Sequence, residues 1–278
     1  MISERRKDRT MRQYHNYTGR DITVVICAYG TCEYLENCIR AVKRQTVKPR
    51  VLISTSTPND HIRGLAEKYK IEIRVNPDGG HVKDYNFAMK QAQTDLCMLA
   101  HQDDLIAKTF VEKNLDALNH SRRPIISFSD YLEMHEDVVD KKPSTMVKIK
   151  RIMLLPLKVP GLGGTGFGKW LIQCMGDPIT HPTVVCVMKE MPHELFRERY
   201  KASMDWDLWQ RLSRQKGDFV YVSQVLLYHR MNKENATAKL FAHTNARYEE
   251  ESEILGRFWP KWVVKIIMHF YSKTAKYY

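Results

Sequence analysis

The sequence contains no run of eighteen apolar residues, which is about the shortest stretch that spans a bilayer as a helix. We therefore expect no transmembrane helix. Residues 1–20 are polar and basic and lack the apolar segment of a secretory signal. We predict a loose basic arm there, on a protein located in the cytoplasm.

Paired cysteine motifs are absent as well. The six cysteines are Cys27, Cys32, Cys38, Cys97, Cys174 and Cys186. None of them forms a C-x-x-C pair, and several lie in apolar segments with strand-like composition. This pattern is typical of buried free thiols in a reducing compartment, and it gives no indication of a disulfide framework.

Acidic residues are outnumbered: 32 Asp and Glu stand against 44 Lys and Arg, which gives a net charge of +12. Such an excess favours an anionic partner, namely nucleic acid, nucleotide phosphates or an anionic membrane. The sequence has no helix-turn-helix, zinc-knuckle or RNP signature. We therefore do not expect nucleic acid to be the partner.

Strand-like and helix-like segments alternate along the first 130 residues. Apolar β-branched segments at 21–28, 50–55, 71–75 and 123–130 predict strands, and periodic segments at 32–45, 59–69 and 81–91 predict helices. Asn59 or Asp60 can cap the second helix. The alternation predicts an α/β architecture with a doubly wound, mostly parallel sheet.

One further strand-like segment, residues 95–104, ends in two adjacent carboxylates, Asp103 and Asp104. Ligands of open α/β sheets bind beyond the carboxyl ends of the strands. Two adjacent acids repel each other unless a cation or a proton lies between them, and Mg²⁺ or Mn²⁺ prefers such oxygen ligands. The alternative is that one Asp caps a following helix predicted at 105–118.

Residues 137–180 interrupt the alternation and are rich in Lys, Pro and Gly. Residues 161–169 match both G-x-G-x-x-G and G-x-x-x-x-G-K, but Trp170 follows where a phosphate-binding loop needs Ser or Thr, and no strand precedes the glycines. We therefore expect either a mobile loop over the site or a disordered connector.

The second half contains a strand at 183–188, a helix with an acidic start at 203–212, a strand at 219–228 and helical residues from 239 onwards. In that last segment, basic and aromatic residues are interleaved. Such a pattern suits the interface of an anionic membrane, and a helix packed on the domain has similar spacing. The sequence leaves both alternatives open.

Five segments, taken in order, resemble family-2 glycosyltransferases. Residues 22–29 (ITVVICAY) are similar to that family's opening strand V-x-I-x-x-Y-N, and Gly79-Gly80 with Asn86 to its N-x-G-x-x-x-x-x-N segment. LAHQDD at 99–104 lies where the family has L-D-x-D-D. MDWDLWQRL at 204–212 resembles E-D-x-D-L-x-x-R-L, and YHR at 228–230 falls where a metal- or phosphate-contacting His is frequent.

This resemblance implies the GT-A fold, a Rossmann-like, mostly parallel central sheet flanked by helices, here with a helical C-terminal extension. It divides the chain into the arm 1–20, a catalytic domain 21–235 with a donor-binding half 21–131 and an acceptor-side half 132–235, and the extension 236–278. It further implies inverting transfer of a sugar, from a UDP-sugar, to a hydroxyl of a saccharide or lipid-linked saccharide in cell-surface polysaccharide synthesis. Such an enzyme would act in the cytoplasm or at the inner face of the plasma membrane.

The resemblance also assigns roles. Asp205 is the expected general base, and Asp103, Asp104 and His229 are expected to hold Mn²⁺ or Mg²⁺. The nucleotide sugar is expected to contact Ala28, Tyr29, Ser54, Asn86, His101, Gln102 and Arg230. Trp206 and Asp207 are expected on the acceptor side, and Arg211 can pair with Asp207 across one helical turn.

Three positions depart from the family pattern. His101 replaces the first acid of the metal motif, Ser54 and its neighbours stand where an Asp often contacts uracil, and Met204 replaces a Glu beside the base. Each residue also has a structural reading: Asp205 as a helix cap, His229 as a core histidine. A nucleotide- or membrane-binding module without activity and a sugar-nucleotide nucleotidyltransferase remain alternatives, although the latter's G-x-G-[ST]-R is missing after the first strand.

Overall fold

A central sheet organises the molecule, which is described here from a computed structural model covering residues 12–231 and 246–274. The strands are β1 (Ile22–Cys27), β2 (Arg50–Thr55), β3 (Glu72–Val75), β4 (Leu96–His101), β5 (Leu105–Ile106), β6 (Pro124–His135), β7 (Val138–Val139), β8 (Val184–Val187) and β9 (Asp218–Arg230). Their order across the sheet is β3-β2-β1-β4-β8-β6-β9-β5, and β7 pairs with β6.

The first four strands in this order are parallel, as predicted. They are connected by α1 (Leu35–Lys43), α2 (Asp60–Tyr69) and α3 (His81–Gln91). Asn59 caps α2, because its side chain accepts the N–H of Ile62 at 2.9 Å. The parallel arrangement brings the carboxyl ends of β1, β2 and β4 to one edge of the sheet.

The rest of the sheet is mixed. β8 runs antiparallel to both of its neighbours, β4 and β6, whereas β6 and β9 are parallel. The helix after β5, α4 (Phe110–His120), begins after Thr109. Asp103 and Asp104 therefore do not cap it, and capping does not explain the acid pair.

Two hydrophobic clusters cover the two faces of the sheet. Alternation along β1 sends Val24 and Ile26 into one cluster and Val25 into the other. The second cluster also contains two fully buried tryptophans, Trp206 and Trp209, of α7 (Met204–Leu212). Replacing either Trp by Ala should cost about 3–5 kcal/mol of unfolding free energy, because a large cavity would remain.

The expectation of a loop or disordered connector within residues 137–180 is wrong. The chain forms α5 (Thr145–Leu154), a short 3-10 turn (Leu155–Lys158) and α6 (Gly166–Gln173). Ser144 and Thr165 cap the two helices. Lys169 of the glycine-rich segment is buried and donates to the carbonyls of Gln215 and Gly217, so this lysine anchors α6 to the start of β9.

The two ends of the described chain are packed on the domain. Residues of the N-terminal arm are held to α4, where the N–H groups of Tyr14 and Tyr17 donate to the backbone carbonyl and side-chain oxygen of Asn119 at 2.8 and 2.7 Å. The segment from Tyr14 to Tyr17 is therefore not loose.

The C-terminal segment forms α8 (Ala246–Leu255) and α9 (Lys261–Thr274). Both helices contribute to the cluster around Trp206 and Trp209, through Ile254, Leu255, Val264, Ile267 and Met268. The predicted boundary at 235/236 and the tail residues 275–278 lie outside the described residues. Within the described ranges, no helix is long and apolar enough to cross a membrane.

Candidate active site

Two distant parts of the chain meet beyond the end of β4. Leu105 pairs with Tyr228, and this register places His229 and Arg230 beside Asp104. Asp104 Oδ1 accepts from His229 Nδ1 at 2.9 Å and from the backbone N–H of Arg230, also at 2.9 Å. The metal and phosphate motifs singled out in the sequence therefore meet at one place in the fold.

Asp104 is almost completely buried, with 3% of its surface exposed. Burial alone would raise its pKa, but His229, His101 and the Arg230 amide lower it, and the net shift is downward. Burial alone would lower the pKa of His229, but the effect of the Asp104 carboxylate is larger, and the pKa of His229 is raised. The two groups thus stabilise each other as an ion pair.

Asp103 and His101 complete the cluster. Burial, with the adjacent Asp104 charge, raises the pKa of Asp103 to about 6. Burial lowers the pKa of His101 to about 3, so its imidazole is neutral near pH 7. The hydroxyl of Tyr85, on α3, lies 3.2 Å from His101 Nε2, which leaves Nδ1 on the side of Asp104, 3.8 Å from Oδ2.

These residues fit a divalent cation. His101, Asp103 and Asp104 each offer a ligand atom, and these atoms all lie within 4.8 Å of one another. Asp104 Oδ2 is buried and finds no hydrogen-bond donor among the described residues. A bound cation would satisfy that oxygen and relieve the repulsion between the two carboxylates. The group that could hold the cation thus includes His101, whereas His229 uses its Nδ1 in the hydrogen bond with Asp104.

The side chain of Gln102, which lies between the candidate metal ligands His101 and Asp103, holds the backbone after β1. Gln102 accepts the N–H of Tyr29 at 2.9 Å and donates to its carbonyl at 3.1 Å. The Tyr29 ring itself is 65% exposed at the edge of the sheet. Ala28 and Ser54 are buried, and their backbones pair with each other across β1 and β2. Of Ala28, Tyr29 and Ser54, only Tyr29 is exposed to solvent.

Asn86 and Arg230 use their polar groups within the protein. The Asn86 amide accepts the N–H of Phe196 at 2.9 Å and donates to its carbonyl at 2.7 Å, tying α3 to the loop before α7. The Arg230 guanidinium is buried, donates to the Asp103 carbonyl and lies 3.8 Å from the centre of the Tyr34 ring. The structure places both residues at the site, where they hold its loops.

Asp205 lies in the first turn of α7, and its carboxylate accepts the N–H of Trp206 at 2.9 Å. Burial raises the pKa of Asp205, against the lowering effects of that hydrogen bond and of Lys150. Burial thus outweighs the helix dipole, which favours the ionised form at this position. A raised pKa makes the carboxylate a better proton acceptor.

Two ionisable groups near Asp205, those of Asp177 and Lys150, were not indicated by sequence motifs. Burial and the Asp205 charge raise the pKa of Asp177 well above its ordinary value, against the pull of Lys150. Burial lowers the pKa of Lys150, but Tyr131, Asp177 and Asp205 outweigh it, and the net shift is upward. Lys150 Nζ also donates to Thr180 Oγ1 at 3.1 Å.

Tyr85 links the two groups of acids. Burial raises its pKa far above the ordinary value, and Asp103, Asp104 and Asp205 all contribute to this shift. Its ring also contacts those of His81, His101, His181 and Phe196, with centroids 5.1–6.1 Å apart. The carboxylates at the end of β4 and at the start of α7 therefore both lie within electrostatic reach of Tyr85, and we call the region around its ring the cleft.

The two residues expected on the acceptor side, Trp206 and Asp207, point into the protein. Trp206 is buried in the core, and the Asp207 side chain is completely buried. Asp207 pairs with Arg211 at 2.9 Å, as the sequence predicted, and with Arg257 at 2.8 Å. Both residues thus anchor α7 in the domain.

Glu250 of α8 anchors the start of α7. Its carboxylate accepts the backbone N–H groups of Lys201, Ala202 and Ser203 at 2.8–2.9 Å, immediately before the helix begins at Met204. No short motif marks Glu250, because it contacts the start of α7 from a separate helix, α8. Residues 232–245, which precede α8, lie outside the described residues. Tyr85, Lys150 and Asp177 were missed for the same reason: only the tertiary structure brings them to the cleft.

The sequence of residues 23–171, more than half of the chain, matches the family model described as glycosyl transferase family 2. The chain belongs to this family. An uncharacterized glycosyltransferase, YwdF of Bacillus subtilis (strain 168), is 25% identical over 118 residues, which cover 39% of this chain and 44% of that protein. The match therefore spans less than half the length of this curated relative.

Solved structures share the fold. S. aureus TarS in complex with UDP-GlcNAc superposes with a TM-score of 0.56 at 13% identity, over 89% of this chain and 70% of that one. Glucosyl-3-phosphoglycerate synthase from Mycobacterium tuberculosis, with Mn²⁺, UDP and glucosyl-3-phosphoglycerate, gives 0.55 at 13% identity, over 86% and 81%. At this identity the likeness concerns the fold alone, and it agrees with the GT-A architecture expected from the sequence.

Proposed function

We propose that this family-2 glycosyltransferase moves a sugar from a nucleotide diphosphate, preferentially UDP, to a hydroxyl of a saccharide or lipid-linked saccharide, with inversion at the anomeric carbon. The observation that carries the proposal is the common cleft around Tyr85, which the Asp103–Asp104 pair and Asp205 both face. The first acid pair can hold a cation that neutralises the charge of a leaving diphosphate, while Asp205 receives a proton from the acceptor.

Asp205 is the general base of this proposal. Its raised pKa and its place in the same cleft as the Asp103–Asp104 pair suit a carboxylate that accepts the acceptor's hydroxyl proton. A single base acting opposite the leaving group drives one in-line displacement, and one displacement inverts the configuration. Asp207 and Trp206 would affect the acceptor side only through α7, which they anchor.

His101, Asp103 and Asp104 would hold Mn²⁺ or Mg²⁺, with His229 fixing the orientation of Asp104. When bound, such a cation supplies Lewis-acid stabilisation to the charge that develops on the diphosphate. A ligand set that includes an imidazole suits Mn²⁺ better than Mg²⁺. The solved relative whose complex contains Mn²⁺ and UDP supports the same choice.

The nucleoside would lie over the edge formed by β1 and β2. We propose that the exposed Tyr29 ring stacks on the base, since Gln102 fixes its backbone on both sides. Ala28 and Ser54 would form the floor of this subsite, and Asn86 and Arg230 would hold the surrounding loops. The complexes of TarS with UDP and UDP-GlcNAc make UDP the first nucleotide to test.

The test combines binding and turnover. Calorimetry should show UDP binding that becomes tighter when Mn²⁺ is added, and a panel of UDP-sugars offered with a membrane extract should give one labelled product. Asp205→Asn should reduce turnover by about 10²–10⁴-fold while UDP binding is retained.

Full turnover by Asp205→Asn would refute the assignment of the base. UDP binding with no product from any donor would favour a binding module without transferase activity. A product formed with retained anomeric configuration would contradict the single displacement. The role in cell-surface polysaccharide synthesis, at the inner face of the plasma membrane, predicts that the labelled product is extracted with lipids.

A further inference from the structure

Exposed apolar side chains are concentrated in one part of the molecule. The larger ones include Ile149, Ile152, Leu155, Val159 and Phe167 in the α5–α6 region, and Trp262 and Ile266 on α9. On α5, Ile149 and Ile152 form a short apolar stripe on the exposed face, which also carries residues 145 and 148, while Val147 and Leu154 are buried on the other face. The helix thus presents its apolar stripe to solvent, with Ile152 exposed by 64%.

α5, α6 and α9 are neighbours. α5 packs against α6. On α6, Phe167 stacks on Trp170, and the Trp170 ring meets that of Trp259, just before α9 begins. Trp259 also donates to the carbonyl of Cys174 at the end of α6. The exposed apolar groups of the three helices therefore belong to adjoining surface elements, which we call the α5–α9 surface.

The two chain segments that contribute α5, α6 and α9 to this surface carry charge of one sign. Residues 141–176 contain seven Lys and Arg and no Asp or Glu, and residues 254–278 contain no acid either. Lys148 and Lys158 are exposed beside the apolar stripe of α5, and Lys261 and Lys265 beside that of α9. A cleft of about 250 Å³ joins Ile152, Leu155 and Lys158 along the surface, and the acid in its lining, Asp130, is paired with Arg151.

We propose that the α5–α9 surface docks on an anionic phospholipid bilayer. Exposed apolar side chains flanked by lysines match the two components of such a membrane, the acyl boundary and the negative headgroups. The sequence had indicated only the C-terminal tail as a membrane contact; the structure adds α5 and α6. No acid within 141–176 opposes the attraction.

The opposite face of α5 explains what docking would achieve. Lys150 lies on that inner face and interacts with Asp177 and Asp205. Docking through the outer face would therefore place Asp177 and Asp205 about one helix diameter from the headgroups, roughly 10 Å. A lipid-linked acceptor could then reach Asp205 without leaving the membrane. This last step depends on the proposed function, whereas membrane binding does not.

The experiment measures co-sedimentation with vesicles of phosphatidylcholine, alone or mixed with phosphatidylglycerol. The protein should bind the mixed vesicles and release them at high salt. Ile152→Glu with Leu155→Glu, and separately Trp262→Glu with Ile266→Glu, should each weaken binding by about tenfold or more. Val75→Glu with Val138→Glu is the matched control, because it adds the same charge at exposed apolar positions elsewhere; Val138 is 70% exposed.

Unchanged vesicle binding by the α5 double variant would overturn the proposal, and so would equal binding of the wild type to neutral and anionic vesicles. If the wild type forms dimers that the α5 variant separates, and does not bind vesicles, the surface is a contact between two copies and the proposal fails. A thermal unfolding curve for each variant verifies folding. Since no sugar transfer is measured, these results stand apart from a failure of the proposed function.

Discussion

The cleft contains two pairs of acids that differ in how their charge is compensated. In the first pair, Asp104 is held by His229 and a backbone amide, and the remaining charge faces Asp103. In the second, Asp177 and Asp205 share Lys150, a flexible cation on another helix, and Arg247 also lowers the pKa of Asp205. The first pair is thus fixed by short hydrogen bonds from adjacent strands, and the second by longer-range charge.

This difference matches the two proposed tasks. A metal site needs fixed oxygens, and a buried, partly unpaired oxygen on Asp104 is acceptable only if a cation completes it. A general base must gain and lose a proton in each cycle. Burial raises the pKa of Asp205 and the neighbouring Lys150 lowers it, so the balance between the two effects can set the working pH.

The largest effects are expected at the first pair. Asp103→Asn should weaken the Mn²⁺-dependent part of UDP binding by roughly a hundredfold or more, because it removes a proposed metal ligand. In the absence of metal the same variant should unfold at a higher temperature than the wild type, since it relieves repulsion between two buried carboxylates.

Asp104→Asn separates the two contributions. It should also abolish metal-dependent binding, but it should lower the unfolding temperature, because it weakens charge-assisted bonds to His229 and Arg230 worth about 1.5–3 kcal/mol each. Calorimetry with Mn²⁺ and thermal unfolding with a chelator measure both quantities. If the two variants change stability in the same direction, the assignment of a structural role to Asp104 alone is incorrect.

Changes at the second pair should move a pH profile more than they affect binding. Lys150→Met removes the positive charge that lowers the pKa of Asp205, so the acidic limb of kcat/KM should move to higher pH. Asp177→Asn should leave the limb in place, because the pKa of Asp177 is raised well above its ordinary value and its carboxyl stays neutral while Asp205 ionises. The sign for Lys150→Met follows because kcat/KM requires the ionised base, which a nearby cation favours.

Of the two variants, only Lys150→Met should therefore move the pH profile. Lys148→Met, at an exposed lysine on the other face of α5, is the matched control and should leave the profile unchanged. An unchanged profile in Lys150→Met would show that the acidic limb belongs to another group.

Glu250 tests whether the second pair depends on the C-terminal helices. Glu250→Gln leaves three N–H groups before α7 with a weaker, neutral acceptor, at a cost of about 1 kcal/mol as for a lost helix cap. We expect kcat to fall by several-fold while KM for the donor and UDP binding stay unchanged.

Glu249→Gln is its control, because residue 249 is the exposed neighbour of Glu250 on the same helix. Glu250→Asp should restore part of the lost rate if the carboxylate positions the base. A parallel loss of donor binding in Glu250→Gln would instead indicate general destabilisation.

Much of the fold followed from local patterns. The strand at 50–55 and the helix at 81–91 have the predicted bounds, because apolar periodicity and turns are encoded within a few residues. The segment 145–173 was missed for a physical reason: its glycines and prolines suggested a loop, whereas Ser144 and Thr165 cap two helices that flank a short turn. Exposed apolar residues on α5 also blurred its periodicity.

The candidate site divides in the same way. Adjacent acids at the end of a strand are visible in a sequence, so Asp103 and Asp104 could be found. Whether Asp207 faces solvent depends on Arg257, which is 50 residues away, and the approach of Lys150 to Asp205 depends on the packing of α5. Such contacts arise from tertiary structure and have no fixed spacing.

The smallest effect concerns an acid outside the cleft whose charge is fully compensated. Glu36 accepts from Tyr69 at 2.6 Å, Arg40 at 2.7 Å and Lys68 at 2.9 Å, and the Tyr69 and Lys68 hydrogen bonds lower its pKa to about 2. A lowered folded-state pKa means that Glu36 stabilises the fold above its unfolded pKa, about 4.3, and that this contribution disappears as the pH falls towards 2.

Glu36→Gln should therefore lower the urea midpoint slightly at pH 7, by an amount that decreases with added salt because the group is solvent-exposed. The difference from the wild type should shrink below pH 4. Turnover and metal-dependent UDP binding should not change, in contrast to the Asp103, Asp104 and Asp205 variants. If Glu36→Gln alters the pH profile of kcat/KM, long-range charge rather than the local neighbour Lys150 controls the pKa of Asp205, and the contrast between the two pairs loses its basis.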